Sequence, residues 1–354
     1  MTVLLALLSS AAVAQEPADV WRLSVTGEVF AGYEAEFFDG QTANAFTLDR
    51  AALGLGFDWR ALVSEIGLDV VRSAEGQSQL GVDGNALLLR ARRAWLGGDA
   101  ELGVVRLRGA FGIVGDPWLE VGEEAYDLRG AGPLLTERAD FLAPGDLGVR
   151  LNVSVWQQRL WVELAVLNGE GFSEIELNET KDLLAVVGTD AWQSELFGHP
   201  AYLRLAVAYR SGSVGAGDAA NSRVHALLAF ASARARLGAE YVHAFGYLGQ
   251  GDRDASGLTL YLSGEPALGW LGLLARYDRV DADLSADDAV SHRIEAGVYS
   301  DFATGSGLPG HARLILLYGH DSFGAGAGEI GGVPEANAVD RVELRLDFRA
   351  TATY

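Results

Sequence analysis

Apolar and polar residues alternate with a period of two along most of the chain. In 20–37, apolar side chains take most odd positions, while polar or charged side chains such as Arg22 and Glu34 take most even positions. The same alternation recurs in 50–60 and 146–156. Successive side chains of a strand point to opposite faces, whereas an α-helix repeats every 3.6 residues. The pattern therefore predicts β-strands that each have one apolar and one polar face.

Counting such segments predicts sixteen strands. They span roughly 21–37, 45–60, 62–73, 86–97, 101–113, 146–156, 159–168, 181–189, 201–210, 223–231, 233–245, 257–264, 268–278, 291–302, 310–319 and 340–354. The strand at 181–189 has the weakest pattern, but bacterial barrels have an even number of strands, and parity supports it. The links then alternate between short and long, except that 190–200 is too long for its place.

The last segment indicates which strand face meets lipid. Its apolar face runs from Val342 to a terminal aromatic, Tyr354, and the opposite face carries charged residues from Arg341 to Arg349. Apolar-face aromatics cluster at strand ends, which is typical of the two aromatic girdles of a membrane barrel. These aromatics are Trp21, Phe57, Trp59 and Phe302 at one end, and Tyr33, Phe37, Tyr241, Tyr277 and Tyr318 at the other. We therefore predict an all-β fold, a 16-stranded antiparallel transmembrane β-barrel. The alternative is a soluble periplasmic β-sandwich.

The N-terminus predicts export. Residues 1–14 contain a short apolar core and end in Ala12-Val13-Ala14, which fits the small-x-small cleavage rule of secretory signals. We expect a signal peptide over 1–14 and the barrel over 15–354.

Composition excludes several classes of function. The net charge of −21 argues against nucleic-acid binding, and the absence of cysteine excludes disulfides, thiolate metal sites and thiol catalysis. The glycine pattern at 326–331 matches a dinucleotide-binding motif only in spelling, because no strand–helix context surrounds it. We expect no catalytic residues, no metal and no cofactor.

Segment 135–172 resembles the middle of the phosphate-selective porin O/P-like family. The matching residues are Glu137-Arg138, Gly145-Asp146-Leu147-Gly148-Val149 and Asn168-Gly169-Glu170-Gly171. The resemblance implies a 16-stranded, trimeric outer-membrane porin. It does not carry over phosphate specificity, which in that family depends on lysine-rich ladders, since Lys181 is the only lysine among 27 basic residues.

Basic residues cluster on two neighbouring predicted strands. A turn at 98–100 would place Arg106 opposite Arg92 and Arg108 opposite Arg90. Arg150 on the next strand would join this wall patch, and Asp69 would pair with Arg90. We expect these side chains to line the pore and to set its selectivity. The alternative is a charge network that only stiffens the wall.

The link 114–145 is longer than a plain connection requires, and such loops are usually functional or disordered. We expect it to fold inward as a constriction loop that faces the arginine patch. The alternative is a solvated surface loop. Its charged residues are Glu120, Glu123, Glu124, Asp127, Arg129, Glu137, Arg138 and Asp140.

The function expected from these features is a water-filled channel in the bacterial outer membrane. It would allow passive diffusion of small hydrophilic solutes, including anions, because sixteen strands leave an aqueous channel. The expected partners are outer-membrane lipid and lipopolysaccharide, the barrel assembly machinery, and two further copies in a homotrimer. The alternatives are an outer-membrane barrel enzyme and a plugged structural or adhesive barrel.

Overall fold

The computed structural model describes the barrel and most of its connections. The described residues are 21–72, 87–126, 128–157, 159–172, 179–196, 198–215, 218–265, 270–303, 310–324 and 338–353. The expected signal peptide, Asp127 and Tyr354 lie outside them. No helix within these ranges is long and apolar enough to cross a membrane.

Sixteen strands close into one antiparallel barrel, and two short strands form a separate hairpin. The strands are β1 (Trp21–Phe38), β2 (Gln41–Trp59), β3 (Leu62–Arg72), β4 (Leu87–Leu102), β5 (Val105–Gly115), β6 (Gly145–Val155), β7 (Leu160–Leu167), β8 (Asp182–Leu196), β9 (His199–Ser211), β10 (Ser213–Val214), β11 (Ala219–Ala220), β12 (Ser222–Ser232), β13 (Ala235–Phe245), β14 (Ala255–Gly264), β15 (Gly272–Asp281), β16 (Val290–Ala303), β17 (Gly310–Phe323) and β18 (Ala338–Thr353). Each barrel strand pairs with its sequence neighbour, β9 pairs with β12, and β1 pairs with β18. The predicted fold is therefore confirmed.

The strand predicted at 181–189 is present, and it is longer than expected. β8 continues to Leu196 and β9 begins at His199, so only two residues connect them. The prediction of a long link at 190–200 was therefore wrong, because it ended the strand at residue 189 whereas β8 continues to Leu196. The corrected tight turn lies at the same barrel end as the other short links. The hairpin of β10 and β11 was not predicted.

The two faces of the strands differ as the alternation predicts. On β18, Leu344 and Leu346 are exposed on the outer surface, whereas Glu343 and Asp347 are buried inside. The aromatic residues Trp21 and Trp59 are also exposed on the outer surface near one end. Charged side chains thus point inward and apolar side chains point outward, which is the arrangement of a membrane barrel with a polar interior.

The register of β4 differs from the prediction. The pairing with β3 shifts between Gly67 and Leu68, so that Arg92 is an extra residue in the ladder. This bulge inverts the parity of β4, because Leu89 before it and Leu96 after it are both exposed on the outer face. Even positions face inward before the bulge, and odd positions such as Trp95 face inward after it.

The turn between β4 and β5 also lies further along the chain than predicted. It comprises residues 103 and 104, where Gly103 adopts a positive φ of 65°, and not residues 98–100. Arg106 therefore lies opposite Glu101, and Arg108 lies opposite Asp99. The predicted pairing of Arg106 with Arg92 and of Arg108 with Arg90 is wrong, and no four-arginine patch forms.

Candidate functional site in the barrel interior

The segment between β5 and β6 folds into the barrel as two helices, α1 (Pro117–Tyr126) and α2 (Leu135–Arg138). We call residues 116–144 the inward loop. Asp116 caps α1, because its carboxylate accepts hydrogen bonds from the backbone N–H groups of Trp118 (2.9 Å) and Leu119 (3.3 Å). The apolar side chains of α1 are buried, which shows that the loop is not a solvated surface segment.

The inward loop is attached to the wall formed by β12–β15. Glu240 of β13 accepts hydrogen bonds from the indole N–H of Trp118 (2.7 Å) and from the hydroxyl of Thr136 (3.1 Å). Arg276 of β15 donates to the phenol oxygen of Tyr126 (2.8 Å), and Arg138 forms an ion pair with Asp278 on the same strand. These bonds fix both helices against one side of the barrel.

Small inward side chains make room for the loop on that side. Ala206, Ala208 and Ala229 of β9 and β12 are buried in one apolar cluster with Trp118 and Tyr126. Larger side chains at the alanine positions would occupy the space that the helices fill. This half of the interior is therefore packed with protein.

The other half contains a charged cavity of about 550 Å³. We call it the wall cavity, because residues of β3–β7 and α1 line it, together with Arg204 of β9 and Arg349 of β18. Its lining includes Glu65, Arg93, Trp95, Arg106, Arg108, Glu120, Glu123, Arg150, Ser154 and Glu163. A second cavity of about 350 Å³ shares Glu65, Arg93 and Glu123 with it. The two cavities adjoin at these shared residues, and we call them together the polar passage beside the inward loop.

Arg90 and Arg92 do not line the wall cavity. Arg90 forms an ion pair with Asp69 at 2.9 Å, and its guanidinium lies 4.5 Å from the ring centroid of Phe172. Arg92 lies 3.9 Å from Glu137 and lines the second cavity. The pairing of Arg90 with Asp69 is the one predicted from the sequence, and Arg92 has its acidic neighbour on the inward loop.

Arg106, Arg108 and Arg150 do line one cavity together. Arg106 forms an ion pair with Asp99 at 2.5 Å, and Arg150 pairs with Glu120 (2.5 Å) and Glu163 (2.8 Å). The guanidinium of Arg108 lies 5.2 Å from the ring centroid of Trp95. The acids beside Arg106 and Arg150 were not predicted as their partners: Asp99 is provided by the longer β4, Glu120 by the inward loop and Glu163 by β7.

The charges of the inward loop are largely paired within the barrel. Arg129 donates to Glu137 (2.7 Å) and to Glu123 (2.5 Å). Burial disfavours the ionised form of Glu137, but Arg129 and Arg92 outweigh it and hold the pKa of Glu137 below its usual value. Burial and the nearby charge of Glu137 raise the pKa of Asp140. The backbone of Asp140 adopts a positive φ of 52°.

Several interior residues were missed by sequence reasoning. Trp95 and Arg93 follow the bulge, so an uninterrupted period of two assigns them to the wrong face. Glu240 and Glu163 occupy ordinary polar positions of their strands, and no local pattern distinguishes them from other inward charges. Only the position of the inward loop gives Glu240 its role.

The residues that resemble the porin family form a structural unit at the base of the loops. The carboxylate of Asp146 accepts hydrogen bonds from the backbone N–H groups of Gly169 (2.7 Å) and Gly171 (3.4 Å). Both glycines have positive φ, which a side chain would strain. Arg210 lies 3.8 Å from Asp146 and also pairs with Asp116 (3.3 Å). The motif therefore ties the inward loop to the link after β7.

Comparison with solved structures supports the architecture. An anion-selective porin from Comamonas acidovorans is 14% identical, covers 94% of this chain and 100% of its own, and gives a TM-score of 0.61. The outer-membrane channel DcaP of Acinetobacter baumannii is 14% identical, with 96% and 100% coverage and a TM-score of 0.59. The chain has the fold of an outer-membrane porin.

A third structure with this porin fold is the trimer form of OmpT, an outer membrane protein of Vibrio cholerae. It is 15% identical, with 93% and 100% coverage and a TM-score of 0.52. No family model matches the chain, and no curated protein matches it in sequence.

Proposed function

We propose that the chain forms a water-filled channel in the bacterial outer membrane through which small hydrophilic solutes diffuse passively. The observation that carries this proposal is the polar passage, which lies beside an inward loop packed against the opposite wall. An outer surface of apolar side chains with aromatic residues near its ends supports a membrane location. The porin fold agrees with both the channel function and the membrane location.

Reconstitution of the purified protein in planar bilayers tests the channel. We expect stepwise single-channel conductance in KCl, together with swelling of liposomes in small sugars. A protein that inserts but conducts no ions would overturn the proposal in favour of a plugged structural or adhesive barrel. Turnover of a lipid or peptide substrate without ion flux would favour a barrel enzyme.

We further propose a weak preference for anions. The net charge of −21 predicts the opposite, but salt screens exposed rim charges beyond about 8 Å at physiological ionic strength. Charges at the narrow passage act more strongly, because the effective dielectric there is lower. Arg106, Arg108 and Arg150 line that passage, and one solved structure of the same fold is described as anion-selective. A reversal potential of cationic sign in a KCl gradient would contradict this preference.

Further proposals concern the oligomeric state, the partners and the family of the protein. We propose a homotrimer, since one protein of the same fold is described in a trimer form, and we propose contacts with lipopolysaccharide and the barrel assembly machinery. Kinship with the phosphate-selective porin O/P-like family is supported by the Asp146–Gly169 contact, because both residues belong to the matching motifs. Native mass spectrometry in detergent tests the trimer, and a monomer would contradict it.

A further inference from the structure

Arg108 differs from the other arginines of the wall cavity in its surroundings. The arginines that line this cavity are Arg93, Arg106, Arg108, Arg150, Arg204 and Arg349. Each of the others has a carboxylate oxygen within 3.4 Å. Within the described part of the chain, no carboxylate oxygen lies within 4.0 Å of the Arg108 guanidinium. Its side chain is exposed to the cavity, and Glu120, which lines the same cavity, interacts with its charge without a direct ion pair.

The register explains why Arg108 has no carboxylate partner. Asp99 lies directly opposite Arg108 on β4, but the carboxylate of Asp99 is bonded to both Nε and Nη2 of Arg106. On the other side, Asn152 of β6 lies opposite Arg108 and donates its amide to Glu163. Both neighbouring strands thus place a polar side chain beside Arg108, and each of these side chains bonds elsewhere.

The position of the guanidinium is fixed by an aromatic ring. Arg108 lies over Trp95, and the indole N–H of Trp95 donates to Glu65 at 3.3 Å. A guanidinium held over an indole is stabilised by the ring, while the N–H groups along its edge stay available. Two parallel N–H groups of arginine match the two oxygens of a carboxylate or a phosphate.

We propose that Arg108, held over Trp95, is an oxyanion-binding site in the passage, and that it retains carboxylates or phosphate in preference to chloride. This inference rests on the proposed channel function. A permeating oxyanion would exchange water for the bidentate donors of Arg108 and would then leave towards either end. Arg106 contributes charge to the same cavity, but its Nε and Nη2 already donate to Asp99.

The test measures chloride current through single channels of the full chain while sodium benzoate or inorganic phosphate is added. We expect the current to fall along a saturating curve with at least one of these anions. In Arg108→Ala, the concentration for half-maximal block should rise by about tenfold or more, as expected for loss of charge-assisted hydrogen bonds. Arg108→Lys keeps the positive charge but removes the two parallel N–H groups. It should therefore preserve the reversal potential and still raise the half-blocking concentration.

Arg253→Ala is the control, because it removes one positive charge from a loop outside both cavities, where Arg253 lies 3.7 Å from Asp283. We expect the half-blocking concentration of Arg253→Ala to stay within about twofold of the unaltered protein, because Arg253 does not line the cavity that contains Arg108. Block by benzoate alone would indicate a carboxylate site, and block by phosphate alone would indicate a phosphate site. Equal weakening in Arg253→Ala and Arg108→Ala, or no saturating block by either anion, would overturn the inference. Absence of any ion conductance would instead overturn the channel itself.

Discussion

The indole N–H of Trp118 donates a hydrogen bond of 2.7 Å to the carboxylate of Glu240, and the two residues lie 122 positions apart in the sequence. This bond joins the start of α1 to β13 on the far side of the barrel. Because Thr136 donates to the same carboxylate oxygen, one side chain holds both halves of the inward loop. A residue that lines neither cavity of the passage therefore anchors the loop that borders it.

Removal of this acceptor should loosen the loop. In Glu240→Ala, the donors of Trp118 and Thr136 lose their partner, at a cost of about 1–3 kcal/mol for each buried donor. We expect a larger and noisier single-channel conductance, with the barrel still folded. Glu240→Gln is the control, since its amide oxygen still accepts both hydrogen bonds. An unchanged conductance in Glu240→Ala would show that apolar packing alone holds the loop.

The Asp146 carboxylate should matter for stability more than for permeation. Asp146 is buried, bonds two glycine N–H groups and lies beside Arg210, and removal of one member of such a network typically costs about 3–5 kcal/mol. Asp146→Ala should lower the temperature at which the barrel loses its compact, heat-modifiable form on a gel. Asp283→Ala, on a link at the outer end of the barrel, should leave that temperature nearly unchanged. Similar melting of both variants would contradict the role given to Asp146.

The barrel could be predicted from the sequence because it depends on a local rule. Lipid outside and water inside impose a period of two on every strand, and the rule identified even the weak strand that became β8. The rule fails where the chain departs from it. One extra residue at Arg92 moves Trp95 to the inner face, and the turn at Gly103 shifts the partners of Arg106 and Arg108.

The interior site depends instead on contacts between distant parts of the chain. The length of the link 114–145 indicated an inward loop, but no sequence pattern could indicate which wall it contacts. Glu240 and Asp278 have the same alternating context as other inward acids, and only the folded loop brings Trp118 and Arg138 to them. For the same reason, the pairing of most arginines could not be predicted.

Acid should loosen the inward loop through Glu137. The carboxylate of Glu137 bonds to Arg129 and lies near Arg92, and these arginines hold its pKa below the usual value of 4.5 although burial opposes them. Because the pKa of Glu137 is lower in the folded state, its ionised carboxylate stabilises the loop at every pH above 4.5. This stabilisation is lost as the pH falls through the lowered pKa of the folded protein. A conductance change caused by loss of this ion pair should therefore appear only as the pH falls below 4.5.

Glu137→Gln separates this effect from the titration of other acids. The variant lacks the ionised carboxylate at every pH, so at neutral pH it should already show the conductance that the unaltered protein reaches in acid. Its remaining pH dependence below pH 4.5 should be smaller, because the largest change at the Arg129 contact has already occurred. Conductance traces at pH 7 and pH 3.5, in the same salt, are sufficient for the comparison. If both proteins show the same acid transition, the group that titrates is another carboxylate, and the bond between Glu137 and Arg129 does not set the width of the passage.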